Sequence, residues 1–358
     1  MTKQDEIQEE IIGKAQRFYS DNEKGWLNLA MRVGKTKISL ELLKRLGYEA
    51  GSILIAYPDN KLKEVWENEC QKWEFFNPDI RMVNFSSLKK CNTQDYDVII
   101  CDEFHALSDN EAELLRELTA SMWLFLSGTI SGETKEKWPD FKEIANYSTL
   151  DGIDDGILAD YEISVHLVDL DDKVLSPNKK GKMLSEKKKY DNYSYVIQKM
   201  REEGKPTMPL ALARNRLSLS SIGKMSYVKD MLSKMKDKRV VVFTGLSAVA
   251  DGIGIPSYHS KSSSDFAFHA FKNKHINHLA LAAMGKVGVT YPDLDSVILL
   301  NFVYSSEENS QILNRCIKLD YKGKLADMHL ICLNEPAEIK KAKEGLSLLD
   351  SSKIVWKS

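Results

Sequence analysis

The sequence predicts an α/β protein of two lobes, each a mainly parallel sheet flanked by helices, and three observations carry that expectation. Short apolar runs rich in β-branched residues recur at 53–57, 98–101, 124–126, 240–243, 279–282, 297–300 and 329–332. Continuous runs of this kind suit strands covered on both faces, and their alternation with helical patterns calls for right-handed crossovers between parallel strands. The runs also form two groups, divided by a polar, mostly helical stretch over 149–238. A chain of 358 residues is long for one core, which agrees with two domains.

Composition narrows the classes. The 50 Lys and Arg against 52 Asp and Glu give a net charge of −2, so any site for a polyanion must be a local groove. Cys70, Cys91, Cys101, Cys316 and Cys332 show no C-x-x-C spacing and read as small buried hydrophobes of a reducing compartment. The start, Met1 to Glu6, is polar and acidic, and no apolar run approaches the ~18 residues of a membrane span. A cytoplasmic protein is expected.

Along the chain, the first informative element is "NLAMRVGKTKISLELLKRLG" at 28–47. An apolar run meets Gly34-Lys35-Thr36, and Ile38, Leu40, Leu42, Leu43 and Leu46 continue with helical period, so the stretch reads as strand, tight turn and helix. The joint between lobes is expected in the glycine- and aspartate-rich 151–156, giving domains at 1–155 and 156–358. Within the second, a helical, basic segment is expected at about 176–235. It includes a loop at 176–182 and an exposed helix at 185–203 carrying Lys187, Lys188 and Lys189, a pattern that most often marks a solvated face.

A phosphate-binding turn needs converging backbone N–H groups, a lysine, and a hydroxyl for Mg²⁺, at the start of a helix whose dipole favours anions. Lys35 and Thr36 fit those roles, although Leu29 stands where the pattern G-x-x-x-x-G-K-[ST] has its first glycine and Arg32 and Val33 fill the loop. A second signal is "DVIICDEFHAL", which ends an apolar strand with Asp102 and Glu103, 67 positions beyond Lys35. That gap holds one or two βαβ units, so both strands can deliver their residues to one carboxyl edge. There an acid can reach a metal ion and its neighbour can orient or deprotonate water.

With these residues in view, the chain resembles a superfamily 2 helicase or translocase of the DExH type, most of all phage and SWI/SNF-type ATPases. The opening stretch resembles motif I, "DEFH" motif II, and "LFLSGT" with Ser127, Gly128 and Thr129 motif III. Gln16 stands where the family often has an adenine-reading glutamine. "ILIAYPDNKLKEVWENECQKW", with Pro58 and Lys61, resembles motif Ia, and "VNFSSLKK", with Ser86 and Ser87, lies at motif Ib. Trp66 and Trp73, seven apart, read as a core-facing helical stripe. In the second lobe "VVVFTGLSAVAD", with Thr244, resembles motif IV. "AAMGKVGVTYPDLDSVILLN", with Lys286, Gly288 and Thr290, resembles motif V. "QILNRCIK", with Gln311 and Arg315, resembles motif VI, where Lys318 replaces a second arginine.

The resemblance implies two RecA-like lobes with ATP and Mg²⁺ between them. Lys35, Thr36, Asp102 and Glu103 would come from the first lobe, and Gln311 and Arg315 from the second. Arg32, Val33, Gly34, Gly288 and Lys318 would also line the nucleotide. Thr36 and Asp102 would hold the metal, while His105, Ser127 and Thr129 would relay nucleotide state. Pro58, Lys61, Ser86, Ser87, Thr244, Lys286 and Thr290 would grip nucleic acid, DNA favoured over RNA, mainly through the phosphate backbone. The competing readings are a degenerate, non-hydrolysing ATP-binding clamp on nucleic acid or a partner, and a P-loop kinase of small molecules that leaves the second lobe unexplained. A zinc site among His259, His269, His275 and His278 fits no common ligand spacing.

Overall fold

The computed structural model describes residues 1–30, 32–91, 95–128, 130–178, 181–282, 294–300, 309, 325–347 and 349–357, without the Lys61 side chain. The described residues form two compact units, one of Met1–Asp160 and one that begins at Tyr161.

The first unit runs α1 (Lys3–Phe18), β1 (Lys24–Leu29), α2 (Lys35–Arg45), β2 (Ile53–Tyr57), α3 (Asn60–Lys72), β3 (Ile80–Asn84) and β4 (Asp95–Asp102). It continues with α4 (Asp109–Arg116), β5 (Thr119–Ser127), α5 (Gly132–Lys137), β6 (Lys142–Tyr147) and α6 (Thr149–Asp154). Its six strands lie in the order β3-β2-β4-β5-β1-β6, with every pair parallel. All carboxyl ends therefore meet at one edge. β2 is buried at every position, as its uninterrupted apolar run requires.

Register fixes what faces what at that edge. Leu126 of β5 is level with Leu27 of β1 on one side and with Asp102 of β4 on the other. The ends of β1 and β4 are thus separated by a single strand, roughly 9.6 Å at ordinary strand spacing. Beneath them an aromatic cluster stiffens the sheet: Phe125 stacks on Phe141 at 4.1 Å and meets Trp138 edge-on at 4.8 Å.

The second unit opens with β7 (Tyr161–Val168), the hairpin β8 (Leu175–Pro177) and β9 (Met183–Ser185), and the helices α7 (Glu186–Glu202), α8 (Met208–Leu219) and α9 (Ile222–Lys234). Then come β10 (Val240–Thr244), α10 (Ser247–Gly252), β11 (Ser257–Tyr258), α11 (Phe266–Lys272), β12 (His278–Ala282), β13 (Ser296–Leu299), β14 (Ala326–Leu333), α12 (Pro336–Gly345) and β15 (Ile354–Lys357). Its seven-stranded sheet, β11-β12-β10-β13-β14-β7-β15, is parallel throughout. The expected fold class, two mainly parallel sheets flanked by helices, is the observed one. The polar stretch read as mostly helical also contains β7, which pairs with β14 over its whole length. Among the described residues no helix is long and apolar enough to cross a membrane.

Candidate nucleotide site

The loop after β1 is shaped by backbone conformation and by α1. Arg32 and Gly34 take φ of 70° and 101°, on either side of the fully buried Val33. For Arg32 that left-handed geometry is unfavourable, and neighbours must hold it. Gln8 Nε2 donates to the Val33 carbonyl at 2.6 Å, and Gln4 Nε2 donates to the Arg32 carbonyl at 3.0 Å. At Gly34 a Cβ would lie 2.4 Å from Gln8 Nε2 and would push that amide off the Val33 carbonyl, while the φ of 101° by itself favours glycine. α2 then starts at Lys35 without a capping side chain and without an acid in its first turn. Its N–H groups and dipole are available to an anion.

The end of β4 supplies the carboxylates. Asp102 and Glu103 are both buried, and Glu103 turns the chain at a φ of 52°. Lys35 Nζ donates to Glu103 Oε1 at 2.6 Å, and its side chain is only 13% exposed. Burial would lower the Lys35 pKa, but Glu103 and Asp102 together hold it above the usual lysine range. Burial would likewise raise Glu103, yet Lys35, His105 and the Gly128 N–H hold it below its ordinary value. Asp102 goes the other way: burial and then the Glu103 charge push it up to about 6.

Two oxygens are left over. Asp102 Oδ1 and Glu103 Oε2 are buried without a hydrogen bond among the described residues, as is Gln8 Oε1. Buried acceptors of this kind are costly, and their concentration beside an uncapped helix start and a lysine is the mark of a site that takes a charged ligand. With the half-buried Thr36 at the second position of α2, the residues fit a Mg²⁺-nucleoside triphosphate. Among the described residues no group of three or more His, Cys, Asp or Glu side chains could hold a metal ion unaided, so phosphate and water oxygens would have to complete the shell.

Neighbouring residues connect the site to its surroundings. His105 Nδ1 lies 2.8 Å from Ser127 Oγ at the end of β5 and 3.5 Å from Glu103 Oε2. Trp66 is fully buried on α3 and donates its Nε1–H to Asp102 Oδ2 at 3.0 Å. Its place in the core stripe was legible from spacing, whereas its grip on Asp102 was not. Pro58 follows β2 and Ser86 and Ser87 follow β3, so all three lie on the same carboxyl edge as Lys35. Asn84 Oδ1 accepts from both the Ser86 N–H and its hydroxyl.

Other expected residues are placed differently. Gln16 is exposed on α1, and the glutamines that reach the loop are Gln4 and Gln8, about two to three helical turns nearer the N-terminus. Thr244 at the end of β10 is fully buried, with its hydroxyl on the carbonyls of Leu246 and Leu281, which leaves no surface for a phosphate contact. His259 is bonded to Asp251 and His278 to the Met235 carbonyl. Thr129, Lys286, Gly288, Thr290, Gln311, Arg315 and Lys318 lie outside the described residues, as does the Lys61 side chain.

No protein-family model matches this chain, and no curated protein matches it in sequence. Among solved structures it is similar to an ATP-dependent Type ISP restriction-modification enzyme, LlaBIII, bound to DNA. The TM-score is 0.60 at 14% identity, over 99% of this chain and 31% of that one. The chain thus spans about a third of that enzyme's chain. The likeness is one of fold alone, two units that are each a mainly parallel sheet flanked by helices.

Proposed function

We propose that the chain is an ATP-dependent nucleic-acid motor, with Lys35, Thr36, Asp102 and Glu103 as the nucleotide-binding and hydrolytic residues. The observation that carries this reading is the buried Lys35-Glu103-Asp102 cluster at the N-terminus of α2, with two carboxylate oxygens that accept no hydrogen bond among the described residues. When bound, ATP with Mg²⁺ supplies the phosphoanhydride and the charge that polarises it. Lys35 would neutralise phosphate charge, and the Thr36 hydroxyl and the Asp102 carboxylate would hold the metal. Glu103 must release Lys35 to do its own work, which is to orient a water and accept its proton. Lysine turning toward phosphate frees the base, so binding and activation of Glu103 are one event. Gln8, with Oε1 unpartnered beside the loop, takes the adenine-reading role that Gln16 was expected to fill. His105 and Ser127 pass the state of Glu103 to the end of β5.

DNA is the favoured track, supported by the DNA-bound enzyme of similar fold. Contacts from Ser86, Ser87 and the turn at Pro58 would go to phosphates and carry little sequence preference. The test is ATP turnover with single-stranded, duplex and forked DNA and with RNA, for wild type, Lys35→Ala and Glu103→Gln. Lys35→Ala is expected to remove stimulated turnover. Turnover unchanged by it would end the assignment.

The non-hydrolysing clamp is the second reading, favoured by the same short Lys35–Glu103 pair, which in a silent site would simply stay closed. It expects nucleotide binding by wild type with no turnover under any nucleic acid.

A further inference from the structure

We propose that the helical hairpin α7–α8 binds the phosphate backbone of nucleic acid and moves as a rigid part of the second unit. The proposal rests on the motor reading above and extends it to a surface that reading does not use.

The first observation is charge. Residues 173–216 hold twelve Lys and Arg against four Asp and Glu, in a chain whose net charge is −2. The rest of the molecule is correspondingly acidic, so this segment is where a polyanion is drawn. Some of its lysines are spent internally: Lys187 pairs with Asp191 and Glu335, and Lys189 donates to Ser176 Oγ and the Pro177 carbonyl. Lys188, Lys199 and Arg201 are exposed, and their side chains have no ion pair or hydrogen bond among the described residues. Lys188, Asn192, Tyr195 and Lys199 follow one another at helical spacings of four, three and four, a single exposed stripe along α7. Tyr195, 69% exposed between the two lysines, adds a ring face to that stripe.

The second observation is anchorage. The buried Glu186 carboxylate accepts from the backbone N–H groups of Asp171 and Ile222, both at 2.9 Å, and from Ser221 Oγ at 3.2 Å. It therefore ties the start of α7 to the start of α9. Lys187 reaches Glu335 at 3.4 Å, and Lys341 of α12 donates to Asn215 of α8 at 3.3 Å. A merely solvated appendage needs no such buried fastening, whereas a surface that must transmit force does.

The third observation is position. The segment leaves the sheet at Val168, the carboxyl end of β7, on the edge where parallel α/β sheets bind their ligands. Lys187 at the start of α7 reaches Glu335, two residues past the end of β14, so α7 begins at that edge.

The experiment is equilibrium binding of fluorescein-labelled single-stranded DNA, duplex DNA and RNA to the full chain, followed as a function of salt. Wild type, Lys188→Glu/Lys199→Glu and a control, Lys234→Glu/Lys340→Glu, are compared. The control carries the same charge change on exposed lysines of α9 and α12. Circular dichroism and thermal melting establish that all three fold alike. The stripe variant is expected to bind about tenfold or more weakly near physiological salt and to lose roughly 1.5 from the log–log salt slope, while the control matches wild type and unstimulated ATP turnover is unchanged. DNA binding by the stripe variant equal to wild type, or an equal loss in the control, overturns the α7 surface and leaves the motor reading standing. Absence of DNA and RNA binding by wild type overturns both.

Discussion

Two buried lysines among the described residues, Lys35 at the start of α2 and Lys224 on α9, behave oppositely. Lys35 touches Glu103 at 2.6 Å with Asp102 beside it, and the two carboxylates hold it charged despite burial. Lys224 is fully buried on α9, with the Leu300 carbonyl at 3.4 Å and the nearest Glu338 oxygen at 4.0 Å, and there burial wins and its pKa falls. The difference teaches that a buried lysine becomes an anion site only where acids outnumber it and keep oxygens in reserve. Around Lys224 a second cation, Lys341, shares Glu338, and the charges are nearer to balance.

The sharpest way to break this contrast is at Glu103. Replacing it with Gln is expected to lower ATP turnover by about 10² to 10⁴-fold, the usual loss for a general base, while retaining nucleotide affinity in a fluorescent-nucleotide titration. Turnover within a few fold of wild type would place the base elsewhere. At Lys224 the expectation is stability without catalysis. Glu338→Leu removes the carboxylate that balances Lys224 and Lys341 and is expected to cost about 3 kcal/mol in urea unfolding. The double change Lys224→Met/Glu338→Leu should recover most of it. Failure of the second change to recover stability would show that the pair does more than balance itself.

How much of this was legible in the sequence depends on burial. β2 coincides with its apolar run at 53–57 because both faces of the strand are covered. The edge strands β3, β6 and β15 escaped, since a half-covered edge needs few apolar side chains and leaves only a weak pattern. β7 escaped for another reason. Ser164 and His166 are buried polar residues inside it, and His166 finds its partners on β14 and α9, far away in the chain. At the site, Lys35, Asp102 and Glu103 were readable because residue type and strand position set their chemistry together. Gln8 and Trp66 were not, because each acts across a tertiary contact, 25 and 36 positions away respectively.

Trp66 offers a smaller test of the same contrast. Its N–H holds one Asp102 oxygen and leaves Oδ1 as the unpartnered one among the described residues. Trp66→Phe keeps most of the volume and removes a hydrogen bond to a charged group, an effect of about 1.5–3 kcal/mol. Turnover is expected to fall about tenfold, with the Mg²⁺ concentration for half-maximal rate raised. An unchanged Mg²⁺ dependence would mean that Asp102 is positioned without the indole.

The smallest expected effect belongs to the second unit and concerns protons. His166 Nε2 lies 3.1 Å from His329 Nδ1, Tyr227 OH sits 2.8 Å from His166 Nδ1, and His329 is bonded in turn to Asp327. Burial, then the His329 and Lys357 charges, push the His166 imidazole from 6.5 down to about 4 against the weaker pull of Asp327. The unfolded chain therefore takes up this proton before the folded one does. The stability tied to neutral His166 is complete above pH 6.5 and is lost progressively as pH falls toward 4. Asp327, held low because His329 and Lys238 override its burial, loses its own contribution only at more acidic pH. Urea midpoints measured across that interval should decline for wild type and decline less for His166→Gln, which keeps a hydrogen-bonding side chain but cannot take up the proton. Parallel curves for the two proteins would move the titration to another group.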